Sequence, residues 1–181
     1  MKEGRRGKPL GRFVRYLLIG IFSFFGLAYV VGWFLPERFE GHSQVVYAQD
    51  PEEVWGALLD YDRHPMTGHM KQSVQAQPPQ NQLPVWTEDM GRGEVITVRT
   101  VAAERPRSMV REMESSMLPM TSRWEYTLEP DGEGCRLTLD AVTHIRPGPW
   151  YVPFFRVMMV IGGGVKAGLD LQLDMVGETL G

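Results

Sequence analysis

Asp60-Tyr61-Asp62-Arg63-His64 groups two acids, a base and an imidazole within five consecutive residues. Side chains of these types can exchange protons with a substrate, so the segment invites general acid–base chemistry. It also lies where a short helix should end, and charged residues gather at helix ends for ordinary electrostatic reasons. A solvated helix end is therefore the favoured reading. For metal binding the spacing is wrong. His64 and His69 are five apart, His42 and His144 are distant, and no His-x-x-x-His, Cys-x-x-Cys or Glu-x-x-His pattern occurs. Gly91-Arg92-Gly93 and Gly162-Gly163-Gly164 do not follow the phosphate-loop patterns. No catalytic constellation, metal site or cofactor is expected. Cys135 is the single cysteine, which rules out an intrachain disulfide.

Methionine is the more telling residue. Met90, Met109, Met113, Met117, Met120, Met158, Met159 and Met175 all fall where strands and a final helix are expected. Flexible, polarizable thioethers serve adaptable apolar binding surfaces, and they equally fill ordinary core gaps. Trp124, Tyr126 and Phe155 carry the same two readings, core first and pocket wall second. Arg99 and Arg111 lie in candidate strands. Pointing inward, either would fix the polar head of a ligand; surface positions are favoured, because unpaired charges are rarely buried.

The elements that must position these residues begin with a membrane candidate. Tyr16 to Leu35 runs twenty residues without a charge, and as a helix it would cover about 30 Å, the thickness of a bilayer's hydrocarbon core. Lys2, Arg5, Arg6, Lys8, Arg12 and Arg15 precede it, and Glu37 and Arg38 are the first charges after it. That asymmetry predicts a single-pass inner-membrane protein with a cytoplasmic N-terminus and a periplasmic C-terminal domain. A cleaved signal peptide is the competing reading, with Gly26-Leu27-Ala28 as its site, but the apolar run continues to Leu35. The expected organisation is a basic tail at 1–15, a span at 16–35, a linker at 36–42 and one domain at 43–181. Residues 1–35 carry a net charge of +5 and the remainder −8. An acidic domain is a poor match for nucleic acid, so none is expected as a partner.

Ser43 to Ala48 reads as a first strand. Asp50-Pro51-Glu52-Glu53 then supplies a cap, a proline suited to the first helical position and a capping-box glutamate. Val54, Trp55, Leu58 and Leu59 give the helix one apolar face, and Pro65 limits it. Val74 to Gln77 is a weak strand, Pro78 to Leu83 a loop, and Glu94 to Val101 and Met109 to Glu114 have strand composition. The clearest pair flanks the turn Glu129-Pro130-Asp131-Gly132-Glu133-Gly134. Ser122, Trp124, Tyr126 and Leu128 alternate with polar residues before it, and Cys135, Leu137, Leu139, Ala141, Thr143 and Ile145 do so after it. From Tyr151 or Phe155 to Leu180 a long amphipathic helix is expected, with Lys166, Asp170, Asp174 and Glu178 on one stripe and Leu169, Leu173, Val176 and Leu180 on the other. Gly162-Gly163-Gly164 interrupts it, marking either a kink or a close approach to the backbone.

Three stretches together resemble the START/Bet v 1-like (SRPBCC) superfamily, in particular its polyketide cyclase/dehydrase-like bacterial branch. They are Asp50 through Pro65, Trp124-Glu125-Tyr126-Thr127-Leu128-Glu129-Pro130 with Cys135-Arg136-Leu137-Thr138-Leu139, and Pro147 through Arg156. The family often has a tryptophan soon after the proline of the opening helix, where this chain has Met66-Thr67-Gly68, and its usual form lacks an N-terminal span. The resemblance implies an α+β helix-grip fold: a curved antiparallel sheet around a long C-terminal helix, two short helices after the first strand, and a cavity between sheet and helix. Trp124, Tyr126, Met109, Met113, Met158, Met159, Gly162 and Leu169 are the expected cavity residues. The favoured function is a membrane-anchored module, held through residues 16–35, whose partner is a hydrophobic small molecule such as a lipid or isoprenoid quinone. A cyclase/aromatase-like enzyme and an envelope protein-interaction domain with a filled cavity are the alternatives.

Overall fold

Period-2 alternation translates directly into the sheet. A computed structural model of the chain describes residues 9–60 and 73–181. Its seven strands are β1 (Arg38–Tyr47), β2 (Ser73–Gln80), β3 (Leu83–Gly91), β4 (Glu94–Glu104), β5 (Ser108–Ser115), β6 (Met120–Asp131) and β7 (Gly134–Ile145). They form one antiparallel sheet in the order β1-β7-β6-β5-β4-β3-β2. The helices are α1 (Pro9–Phe34), α2 (Pro51–Leu59), α3 (Val152–Ile161) and α4 (Gly164–Leu180). This is the α+β helix-grip architecture, with α4 laid across the inner face of the sheet.

Along β7, Cys135, Leu137, Leu139, Ala141, Thr143 and Ile145 are all buried, as the alternation requires. Val54, Trp55 and Leu58 of α2 meet Leu137 and Leu139, with Leu169, Leu173 and Val176 of α4, in one core. The start of α2 is fixed locally. The Asp50 carboxylate accepts from the Glu52 and Glu53 amides at 2.8 and 2.9 Å, and Glu53 returns the bond to the Asp50 amide. β1 needs a glycine beneath α4, since a Cβ at Gly41 would lie 2.9 Å from Val165 Cγ1.

Several sequence expectations shift. β1 starts at Arg38, so a strand occupies most of the expected 36–42 linker. β2 runs through Pro78 and Pro79, expected as loop, because it is the edge strand and a missing donor there breaks no central ladder. β3 was not anticipated at all. The long C-terminal helix is two helices bent by 62° at the glycine run. Gly163 (φ 85°) and Gly164 (φ 63°) sit in the left-handed region, so the run makes a kink. The expected second short helix, like Tyr61 through His64 and His69, lies outside the described residues.

Within α1, Phe13–Phe34 is long and apolar enough to cross a membrane, and its side chains are largely exposed.

Candidate functional site

Between the β3–β6 part of the inner face, α3 and α4 lies a cavity of about 340 Å³. Ladder register explains its walls. Inward residues stand opposite one another across the strands: Trp86 faces Val98, Val98 faces Met113, Met113 faces Ser122, and Arg111 stands between Thr100 and Trp124. α3 contributes Phe155 and Met159, and α4 contributes Gly164, Gly168, Leu171, Gln172 and Met175. The rim is open at Gly168 and Leu171, which are exposed.

Arg111 is the chemical centre of the inner wall. It is only 3% exposed, and its guanidinium carbon lies 4.9 Å from the Trp86 ring centroid and 5.1 Å from that of Tyr126. Aromatic faces attract a cation at this range. One terminal nitrogen donates to the Leu58 carbonyl at 2.7 Å, in the last turn of α2, where carbonyls lack helical partners. Its Nε meets no acceptor among the described residues, nor does the neighbouring Thr100 hydroxyl. Glu88, also buried, accepts from the Trp86 indole at 2.9 Å. Burial pushes the Tyr126 phenol above its ordinary value, partly opposed by the Arg111 charge and hydrogen bond. The phenol is thus neutral at physiological pH and able to donate. Further along the wall, the Trp124 indole donates to Ser122 Oγ at 2.8 Å, and that oxygen pairs with Thr143 Oγ1 at 2.6 Å.

Of the residues expected to line a cavity, Trp124, Tyr126, Met113 and Met159 do so. Met109 and Leu169 are sealed in the core, 1% and 0% exposed, because their strand and helix turns face α2 and β7 rather than the void. Met158 points away to solvent, one position round α3 from Met159, and Gly162 lies in the exposed bend. Arg111 departs from the surface position favoured for it: two aromatic faces and a helix-end carbonyl replace water. Arg99 does lie outside, paired with Glu114 at 3.2 Å. Trp86 and Glu88 were missed with β3. Their signal was Val85-Trp86-Thr87 before the Gly91-Arg92-Gly93 turn. His42 and His144 belong to the outer face of the sheet, where His42 meets Asp140 at 2.7 Å. Burial raises the Cys135 thiol, which suits a structural rather than a nucleophilic sulfur.

The family model described as polyketide cyclase/dehydrase and lipid transport matches residues 38–179. Among solved structures, the chain resembles the ZhuI aromatase/cyclase from Streptomyces sp. R1128 at 15% identity and TM-score 0.63, covering 78% of this chain and 93% of that one. It also resembles a Thalictrum norcoclaurine synthase (9% identity, TM-score 0.57, 79% and 94% covered) and a START superfamily protein from Mycobacterium smegmatis (14%, 0.54, 78% and 93%). At these identities the likeness concerns the fold. No curated protein shows significant sequence similarity to the chain.

Proposed function

Given that the chain belongs to the polyketide cyclase/dehydrase and lipid transport family, we propose that it is a membrane-anchored binding module that holds a hydrophobic small molecule between the sheet and α4. The cavity carries this reading. Its volume falls within the range of small-molecule pockets, and its walls are mostly apolar with a few convergent polar groups. Such a pocket favours a lipid or isoprenoid quinone: Met113, Met159 and Met175 adapt to a flexible tail, while Arg111 and Tyr126 offer donors to a terminal oxygen. Anchoring by α1, with the domain periplasmic, would place the pocket beside the reservoir of such ligands.

A second reading rests on one observation. Tyr126 and Glu88, two groups able to handle protons, both line the cavity beside Arg111, as a cyclase/aromatase-like enzyme would require.

Purified full-length chain incubated with a total lipid extract, then re-isolated and extracted, separates the two. A bound species recovered unchanged supports the binding module. A species recovered with one ring more supports the enzyme, and an empty protein at saturating lipid contradicts both.

A further inference from the structure

Helix α3 has the composition of a membrane element and a position to match. Its sequence, Val-Pro-Phe-Phe-Arg-Val-Met-Met-Val-Ile, contains one charge, Arg156. That charge faces inward, 4% exposed, donating to the Ile145 carbonyl at 2.7 Å and the Leu35 carbonyl at 3.3 Å, with the Glu37 carboxylate 3.5 Å away. On the side of the helix away from Arg156, Met158 and Ile161 are 62% and 71% exposed; Val160, one turn beyond Arg156, is 54% exposed and Trp150 beside the helix start 72%. An apolar face this continuous needs a partner.

The partner is indicated by α1. Gly32 lies so close to the Pro153 backbone that a Cβ would clash with its carbonyl, and the Phe154 ring packs 5.4 Å from Tyr29 and 6.1 Å from Phe25. Phe25 stands nine residues before the end of α1, about 13 Å along the axis at the helical rise. The start of α3 is therefore docked against the interior of the apolar stretch and not merely against its end. Trp150 and Tyr151 precede α3, as amphipathic rings do at an interface, and the Tyr151 hydroxyl ties in the β5–β6 loop through the Met117 carbonyl at 2.7 Å, with Met117 itself exposed. The 62° bend then turns α4, with Lys166, Asp170, Asp174 and Glu178, out of line with α3, so apolar and charged surfaces part at the glycines.

We infer that α3 lies in the lipid of the membrane's outer leaflet with Met158 and Ile161 facing the acyl chains, so that the Phe155–Met159 wall of the cavity borders lipid instead of water. A ligand would then enter beside α3 without crossing bulk solvent. This inference rests on α1 spanning the membrane.

The test uses full-length protein in vesicles of phosphatidylethanolamine and phosphatidylglycerol, with nitroxide attached to single cysteines at Met158→Cys, Ile161→Cys, Leu27→Cys in α1 and Val46→Cys on the outer face of β1. The unsubstituted chain, whose Cys135 is buried, is the blank. Collision with dissolved oxygen reports lipid, and collision with a water-soluble nickel chelate reports water. The expected oxygen-to-nickel ratio at 158 and 161 matches that at 27 and exceeds that at 46 several-fold. A lipid value at 27 with a water value at 158 and 161 overturns the inference and leaves the anchor standing. A water value at 27 overturns the anchor reading and this inference with it. Spin–spin broadening at 161 that disappears on dilution with unlabelled chain would assign the face to a second copy and overturn the lipid contact.

Discussion

The two halves of the sheet use the same inward alternation for opposite ends. Beneath β1, β7 and the end of β6, the inner face is closed: Leu137, Leu139 and Cys135 are fully buried against α2 and α4. Beneath β3, β4, β5 and the start of β6, the inner face carries Trp86, Glu88, Arg111 and Ser122 and borders the void. Sealing one half supplies the stability that lets the other keep space and buried polar groups, which a uniformly packed sheet could not hold. α4 spans both, closing over β1 and β7 through Val165, Leu169 and Leu173 while its Gly164, Gly168 and Leu171 face the opening.

Truncation should separate the halves most widely. Leu169→Ala, in the closed half, is expected to lose about 2–5 kcal/mol of unfolding free energy, as buried leucine truncations do. Met113→Ala, beside existing space, is expected to lose about 1 kcal/mol or less, because the site already lacks contacts on one side. Urea unfolding of the two variants measures the gap, and equal losses would erase the distinction.

Arg111→Met tests the polar centre. It removes the bond to the Leu58 carbonyl and the cation between two rings, and should cost about 2 kcal/mol, the scale of a buried hydrogen bond to a charged group. Denaturant unfolding again reads it. A surface arginine would give almost no change.

Alkaline titration probes both halves at once. Burial raises Tyr126 beside the cavity and, with nearby Asp174, Tyr47 over the closed core, both from an ordinary value of 10.0. A phenol whose folded value lies above its unfolded one contributes stability that is complete below the unfolded value and is lost as pH climbs toward the folded one. Stability should therefore hold to about pH 10 and fall beyond it. The phenolate absorbance belonging to Tyr47 and Tyr126 should appear only together with unfolding, and Tyr126→Phe should remove its share of that late rise and soften the alkaline loss.

Gly168→Phe narrows the rim. A Cβ there meets nothing within 4 Å, and replacing a helical glycine gains up to about 1 kcal/mol of helix propensity. Thermal unfolding should be unchanged or slightly raised. The smallest effect belongs to Asp170 on the exposed side of α4. Lys166 and Ser43 hold its carboxyl below the usual value by hydrogen bonding, so its contribution is present above that value and fades only as pH falls through the lowered one. Asp170→Asn should leave stability at neutral pH nearly unchanged and slightly flatten the acid limb, checked by unfolding across pH.

Legibility in the sequence follows the same division. The closed half reads cleanly, since Leu128, Leu137 and Leu139 alternate with polar neighbours and Asp50 to Glu53 start α2 as their chemistry dictates. The cavity half does not. In β3 consecutive residues Val85 and Trp86 are both buried, so alternation breaks, and Pro84 disguises the strand. The surface expectation for Arg111 rests on the rule that charges seek water, and only the three-dimensional meeting of Trp86, Tyr126 and Leu58 supplies the exception. Four of the eight expected cavity residues do line the void. Met109, Met158, Gly162 and Leu169 do not, because composition marks a residue as apolar without saying whether it lies at the sealed end of the inner face, as Met109 and Leu169 do, or turned out to solvent, as Met158 is.

The central claim is that the space beneath α4 receives a hydrophobic molecule. Native mass spectrometry of the full chain, purified under gentle conditions from the cells that express it, tests it most directly when run beside Gly168→Phe. A discrete adduct on the unaltered chain, absent from the equally folded variant, is the predicted result. Bare masses for both, or the same adduct on both, would contradict it.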